Sequence, residues 1–525
     1  MNPEQRFASK VPRQTYATTL EAQQEQLKTD ALLLRFAASR KQLAADPYRP
    51  IYHYVNPEGT LNDPNGLCTW QGKHHLFYQA YPPEDPRQHW GHAISDDLVH
   101  WQDLPLAIYP GIERCCFSGS TLVEEERVIA LYHGTEAGNM IAVSSDPLLL
   151  NWEKIPGNPV IPLVNTDRLG LPYRVYDPCI WREEDGYYAL SGTYWGGEFQ
   201  DGSRMVQHLF FSQDLARWTY MGPLVENDGF TASDEAGACP YFWPIGDKHI
   251  LVFCSNQRGS QYLLGDYDKL HHRFHPFAHG RFNFGPIGPG GVHAPSAAPD
   301  GQGGVRVIFN MNNAIPSQGW DQIMSLVRVL TLRTDNTLGI EPAPGHESLR
   351  YDHQHLGQTL LPANREIALE GIGGNALELV LEIQPQAARE VCINVLQSPG
   401  GEEFTAIKFY RHSGLLVRRQ GRHYQQDALA LDTSRSSLRP DGAFWVSSLS
   451  TRAPEVAPFE LGDDEPLKLR IFIDKSVVEV FANGRQCVAL RVYPTRADST
   501  GVSIRAQGSD AVLRSLDAWQ MHSIY

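Results

Sequence analysis

"HHLFYQ" (His74–Gln79) is a short apolar strand pattern, and it comes back. "VIALYHG" (Val128–Gly134), "YYALSG" (Tyr187–Gly192), "HILVFC" (His249–Cys254) and "VRVIFN" (Val305–Asn310) follow at spacings of about 54 to 62 residues. Polar turn stretches precede most of them: "WQGK", "EEER", "EEDG" and "PIGDK". A second motif accompanies the first three: "SDDLVHW", "SSDPLLLNW" and "SQDLARW", ending at Trp101, Trp152 and Trp218. A period near 50 residues built from short strands is that of propeller blades. One small sheet cannot bury both faces alone, so blades stack around an axis. Five units predict a five-bladed β-propeller over residues 50–345, with the three tryptophans as packing residues.

After "EPAPGHESLRYDHQ" the repeat ends. Alternating strands take over: "ALELVLEI", "TAIKFYR", "LKLRIFIDKSVVEVFAN" and "CVALRVYP". They predict a β-sandwich over residues 346–525. "FANGRQ" carries Asn483-Gly484, the signal of a type I′ hairpin turn. Residues 1–49 form an N-terminal helical extension. Thr18 and Glu21 have capping-box spacing, and Leu20, Leu27, Ala31, Leu34 and Ala38 fall on one face of a helix over 18–45. Two uses are open for that face: packing on the body, or a homodimer contact. The fold class is therefore all-β, a five-bladed β-propeller followed by a β-sandwich.

The formal charge of −15 repels phosphate backbones, and no basic stripe with interleaved aromatics occurs, so nucleic acid is not an expected partner. No apolar run approaches the ~18–20 residues of a membrane span. "MNPEQRFASKVPRQ" lacks the apolar core of a signal peptide, so a cytoplasmic setting is expected, with secretion if the chain is a processed form. The eight cysteines make no C-x-x-C pair and read as buried, reduced thiols. His74-His75 and His271-His272 lack metal-ligand spacing, and "FGPIGPGG" lacks the ending of a phosphate loop.

A propeller gathers the beginnings of its blades around one pocket. Three acidic candidates sit there: Asp63 in "GTLNDPNGLCTW" (Gly59–Trp70), Asp177 in "VYDPCIW" (Val175–Trp181), and a carboxylate in "SDEAGACPYF" (Ser233–Phe242). Asp-Pro and Asn-Gly are turn dipeptides, so the first stretch reads as a rigid turn that aims Asp63. Paired carboxylates flanking a sugar bond are the machinery of glycoside hydrolysis.

At these residues the chain resembles glycoside hydrolase family 32, the invertases, inulinases and levanases. "NDPNG", "WGHAISDDLVHW" (Trp90–Trp101), "FSGS" (Phe117–Ser120) and "LRIFIDKSVVEVFANGRQCVALRVYP" (Leu469–Pro494) occur in the family's order. The resemblance runs from about His53 to the C-terminus and itself implies a propeller and a sandwich. It implies a retaining β-fructofuranosidase acting on sucrose or short fructo-oligosaccharides, with no metal or organic cofactor. Asp63 maps to the nucleophile and Asp177 to the carboxylate that steadies the transition state. Asn62, Gln79, Trp90, Phe117, Ser118 and Tyr176 are the expected sugar contacts. A fructosyltransferase, forming oligosaccharides or a dianhydride, and a non-catalytic fructoside-binding homologue are the alternatives.

Three departures stand out. Thr60-Leu61 replaces the family's Trp-Met. Tyr176 replaces the arginine before Asp177, with Arg174 two residues back on the same side of a strand. Ala238 occupies the slot of the acid/base glutamate, before Cys239-Pro240. Glu235 is the expected substitute, brought into place by a bend at Ala236, Gly237 and Ala238; Asp234, Glu198 and Glu226 are the other candidates.

Overall fold

The computed structural model describes residues 6–164, 173–193, 206–226, 229–231, 237–255, 258–285, 291–419, 422–440 and 452–525. Glu198, Asp234 and Glu235 lie outside the described residues, as does the side chain of Glu226.

Five sheets, each built on four antiparallel strands, follow one another from Gly59 to Pro342; in the fifth, the short strands Trp320–Asp321 and Ile323–Met324 fall in sequence between the second and third. The repeated apolar segments are the second strand of each: Lys73–Ala80, Val128–Gly134, Gly186–Thr193, Lys248–Ser255 and Val305–Met311. Their alternation is lost because both faces are covered by neighbouring blades, which is why they read as continuous apolar runs. The first strands are innermost: Gly59–Trp70, Cys116–Val123, Val175–Glu183, Ala238–Ile245 and Val292–Pro299. Each lies against the inner strands of the blades before and after, and the fifth returns to the first, closing a five-bladed propeller. A short parallel pairing of Gly59 and Thr60 with Trp320 and Asp321 ties the first blade to the fifth. Trp101 and Trp152 are buried between blades.

Residues 350–521 form two further antiparallel sheets packed face to face around a separate apolar core. In the predicted hairpin Asn483 and Gly484 both take positive φ (47° and 63°), as a type I′ turn requires, and Arg485 N–H donates to the Ala482 carbonyl. The propeller core continues into this sandwich: Phe472, Val477, Phe481 and Ala489 join Trp243, Phe309 and Leu330. Buried charges bridge the same seam. The Asp474 carboxylate accepts the backbone N–H groups of Ile51, Tyr52 and His53, each at 2.8 Å. His53 lies between Asp474 (2.9 Å) and Glu479 (3.3 Å), and Arg328 reaches Glu479 at 2.9 Å. All four side chains are fully buried.

The N-terminal extension is two helices rather than one, α1 (Leu20–Leu27) and α2 (Ala31–Leu43). Thr19, not Thr18, caps the first. Asp30 breaks the run because its carboxylate caps the second, accepting from Leu32 and Leu33 N–H, while also taking the Tyr16 hydroxyl at 2.7 Å. The break rotates α2, so Phe36 is buried and Leu34 is 58% exposed, against the single apolar face predicted. Arg40 then pairs with Asp103 of the first blade (2.5 Å), so the extension packs on the propeller. Among the described residues no helix is long and apolar enough to cross a membrane.

Candidate active site

The five inner strands share one irregularity. In each, three residue steps of the inner strand match two of its neighbour: Leu61–Pro64, Cys116–Gly119, Val175–Pro178, Ala238–Tyr241 and Val292–Pro295. That is a β-bulge, which adds a residue, bends the strand and re-aims the side chains next to it. The bulged pairs are Asn62-Asp63, Phe117-Ser118, Tyr176-Asp177, Cys239-Pro240 and His293-Ala294. Five equivalent bulges around one axis bring these residues together from positions more than 200 apart in the chain.

This corrects the turn reading of "NDPNG". Gly59–Trp70 is one strand with two bulges, not a turn between strands. Its glycine is still required: Gly66 sits at φ +50°, and a Cβ there would meet Thr121 Cγ2 at 2.7 Å and Trp90 at 3.2 Å.

Asp63 Oδ2 accepts the Ser118 hydroxyl (2.7 Å) and the Gln79 amide (3.2 Å), and faces the Cys239 thiol at 3.6 Å. Gln79 also donates to Ser118 (2.8 Å), so the two donors brace each other. Asn62 donates weakly to Gln79 (3.3 Å) and Tyr81 (3.4 Å) and accepts from Asn310 (3.1 Å). Asp177 is 2% exposed, and its Oδ2 takes the Cys239 backbone N–H and thiol, both at 3.3 Å. Its Oδ1 is buried without a partner among the described residues. Burial, and then the charge of Asp63, push the Asp177 carboxyl up to about 7. Burial and the same two carboxylates hold the Cys239 thiol well above its ordinary range, so it stays a donor with one proton for two acceptors. No Arg or Lys side chain bonds to either carboxylate among the described residues. An acidic pair held this way, with a bare oxygen, is built to receive hydroxyl donors or developing positive charge from a ligand.

The wall beside the pair is aromatic. Tyr176 stands 6.4 Å from Phe117 and 5.1 Å from His133, ring centre to ring centre. Burial pushes His133 down to about 4, with Arg174 adding to the effect. Ser191 clamps the Tyr176 backbone at both its N–H and its carbonyl. A cavity of about 630 Å³ lined by Thr60, Asn312, Trp320, Asp321 and Gln322 opens beside Asn62, joined to it through Gln322 and Asn310.

Asn62, Asp63, Gln79, Phe117, Ser118, Tyr176 and Asp177 thus stand in one cluster. Trp90 does not face a ligand as expected. It is fully buried between Phe77 and Tyr132, and its indole N–H donates to the Phe117 carbonyl (2.8 Å), buttressing the bulge that carries Ser118. Glu235 falls outside the described residues. The slot itself is plain: Ala238 is buried between two residues of positive φ, Gly237 (61°) and Cys239 (46°), so the chain does bend where the sequence allowed it. Sequence reading passed over Cys239 and His293. Both follow from the strand repeat once the bulge offset is known, since they occupy the position of Asn62, Phe117 and Tyr176. His293 Nδ1 is buried without a partner among the described residues, and burial lowers the ring's proton affinity while Asp63 raises it.

Comparison with known families decides the class. Residues 53–342 match the glycosyl hydrolases family 32 N-terminal domain, and residues 346–520 match the glycosyl hydrolases family 32 C terminal. The chain belongs to glycosyl hydrolase family 32. It is a glycoside hydrolase. It is 28% identical to the fructan 6-exohydrolase of Beta vulgaris, over 91% of this chain and 87% of that one. It is 26% identical to the levanase of Bacillus subtilis, over 91% and 71%. It is 28% identical to the sucrose-6-phosphate hydrolase of Escherichia coli, over 90% and 95%. The fold matches the crystal structure of fructan 1-exohydrolase IIa from Cichorium intybus with a TM-score of 0.76 at 24% identity, over 91% of this chain and 98% of that one.

Proposed function

We propose that this family 32 protein is a retaining β-fructofuranosidase that hydrolyses sucrose or short fructosides. The observation that carries the reading is the uncompensated pair Asp63 and Asp177, joined through the Cys239 thiol at the propeller axis. The names of its relatives, fructan exohydrolase, levanase and sucrose-6-phosphate hydrolase, support a fructosyl unit as the part recognised.

In this reading Asp63 is the nucleophile. Ser118 and Gln79 fix its Oδ2, which leaves Oδ1 to attack the anomeric carbon and form a covalent fructosyl-enzyme. Glu235 protonates the leaving oxygen and then takes a proton from water or from a sugar hydroxyl, the second choice giving transfer. Asp177 grips ring hydroxyls. Ionised, it also stabilises the positive charge that develops at the ring oxygen and anomeric carbon. The Tyr176, Phe117 and His133 wall covers an apolar face of the ring, where the family's arginine contact is absent. No step needs a metal or an organic cofactor, and the partner is a small sugar.

The test is direct. The protein is incubated with sucrose and with short fructo-oligosaccharides, and glucose, fructose and longer products are resolved over time. Hydrolysis releases equimolar glucose and fructose from sucrose; transfer yields longer products with excess glucose. Ala238 in the acid/base slot favours one second reading, a fructoside-binding homologue without turnover. Saturable sugar binding with no product from any fructoside selects that reading and overturns the first.

A further inference from the structure

On the solvent face of the sandwich, far from the carboxylate pair in sequence, two histidines converge on one oxygen. His353 Nε2 and His355 Nδ1 each lie 2.8 Å from Asp517 Oδ1, and the three donor atoms fall within 4.8 Å of one another. The backbone explains the meeting. Arg350–Leu356 runs antiparallel to Ala511–Met521, with His355 directly opposite Asp517. Asp352, at φ 50°, lies in a register shift between Tyr351 and Gln354, and His353 falls within it. The His353 ring is then fixed by stacking on Trp519, at 4.8 Å and 9° between planes, with Arg350 lying over the same indole at 4.0 Å.

We propose that His353, His355 and Asp517 form a binding site for a divalent transition-metal ion of the zinc class, separate from the glycosidase centre. Two imidazole nitrogens and one carboxylate oxygen are a donor set that suits Zn²⁺, Ni²⁺ or Cu²⁺ rather than the oxygen-seeking Mg²⁺ and Ca²⁺. Metal–ligand bonds of 2.0–2.2 Å put donors about 3.3 Å apart in a tetrahedral centre, so each His–Asp contact opens by about half an ångström on binding. The side chains of His353, His355 and Asp517 are 50%, 55% and 28% exposed, so the ion can enter and keeps a coordination position for water. Arg350–Leu356 is the edge strand of its sheet and the first strand after the propeller. A bound ion would clamp that edge to the chain's last strand, stabilising the sandwich by binding only the folded form.

The test uses the full-length protein freed of metal with a chelator. Zinc titrated in a calorimeter should bind at one equivalent per chain and raise the thermal midpoint. His353→Ala and Asp517→Asn should each weaken binding at least about tenfold, while His271→Ala, at an exposed histidine elsewhere, should not. Copper should quench tryptophan fluorescence at the same stoichiometry, and Trp519→Phe should remove that quenching without removing zinc binding. The absence of a saturable one-equivalent site overturns the proposal. So does a site that survives in the His353→Ala/His355→Ala double variant, and so does quenching that persists in Trp519→Phe.

Discussion

Two of the buried acidic clusters among the described residues are solved in opposite ways. At the seam between propeller and sandwich, Glu479 and Asp474 meet Arg328, His53 and three backbone N–H groups. Against the upward push of burial, Arg328 and His53 hold Glu479 down to about 2. At the propeller axis Asp63 and Asp177 meet, among the described residues, only hydroxyl, amide and thiol donors, and Asp177 is pushed up to about 7. A buried charge costs stability unless it is paired and hydrogen-bonded. The seam supplies its own partners and so holds the domains together. Among the described residues the axis withholds them, and in the proposed function a sugar completes it.

The largest effect that sharpens this contrast is at the proposed nucleophile. Asp63→Asn should keep the fold and lose at least about 10³-fold in kcat, since removing a nucleophile forfeits several kcal/mol of transition-state stabilisation. Near-normal turnover by a well-folded Asp63→Asn variant would break the comparison at its functional end.

Arg328→Met acts on the other cluster. It leaves Glu479 buried with one cation fewer, and should cost roughly 3–5 kcal/mol of stability. The kcat of the molecules that remain folded should be unchanged. Denaturant unfolding and active-site titration separate the two. A stable Arg328→Met protein would mean that the seam charges are not what joins the domains.

Asp177→Asn should lower kcat and kcat/KM together, because in the proposed mechanism its contacts strengthen in the transition state. It should also stabilise the protein. A carboxyl whose folded pKa is raised to about 7 binds its proton more tightly folded than unfolded, so stability falls as pH rises from about 4 to about 7. The stability gap between Asp177→Asn and wild type should therefore open across that window and close below it. The same ionisation should give kcat/KM an ascending limb near pH 7, reporting the Asp63–Asp177 pair rather than one residue. A gap that is flat with pH contradicts the assignment. The smallest effect is at Tyr176→Arg, which restores the family's residue beside Asp177: the fold should persist, with a change in KM or in acceptor choice read from the product mixture.

The architecture was legible because blade strands are short apolar runs at a regular period and the sandwich strands alternate. The helical extension was misread as one element because Asp30 looks like an ordinary polar residue until its carboxylate is seen capping two N–H groups. Asp63, Ser118 and Asp177 were legible as motif residues, but the bulges that aim them leave no local signature; "NDPNG" reads as a turn by its dipeptides alone. Trp90 was assigned to the pocket by its motif, whereas its burial depends on Phe77 and Tyr132, in strands before and after it. The seam network was invisible: His53 and Asp474 are 421 residues apart. So was the His353–His355–Asp517 cluster, for the same reason.

The claim on which the account turns is that Asp63 carries the fructosyl unit. A fructosyl fluoride needs little protonation to depart, so a Glu235→Ala variant should form the covalent intermediate from it and release it slowly. Quenched digests analysed by mass spectrometry should then show one fructosyl unit on the peptide holding Asp63, and azide should speed its loss. Turnover of the fluoride with no adduct on that peptide, or an adduct on a different carboxylate, would contradict the account.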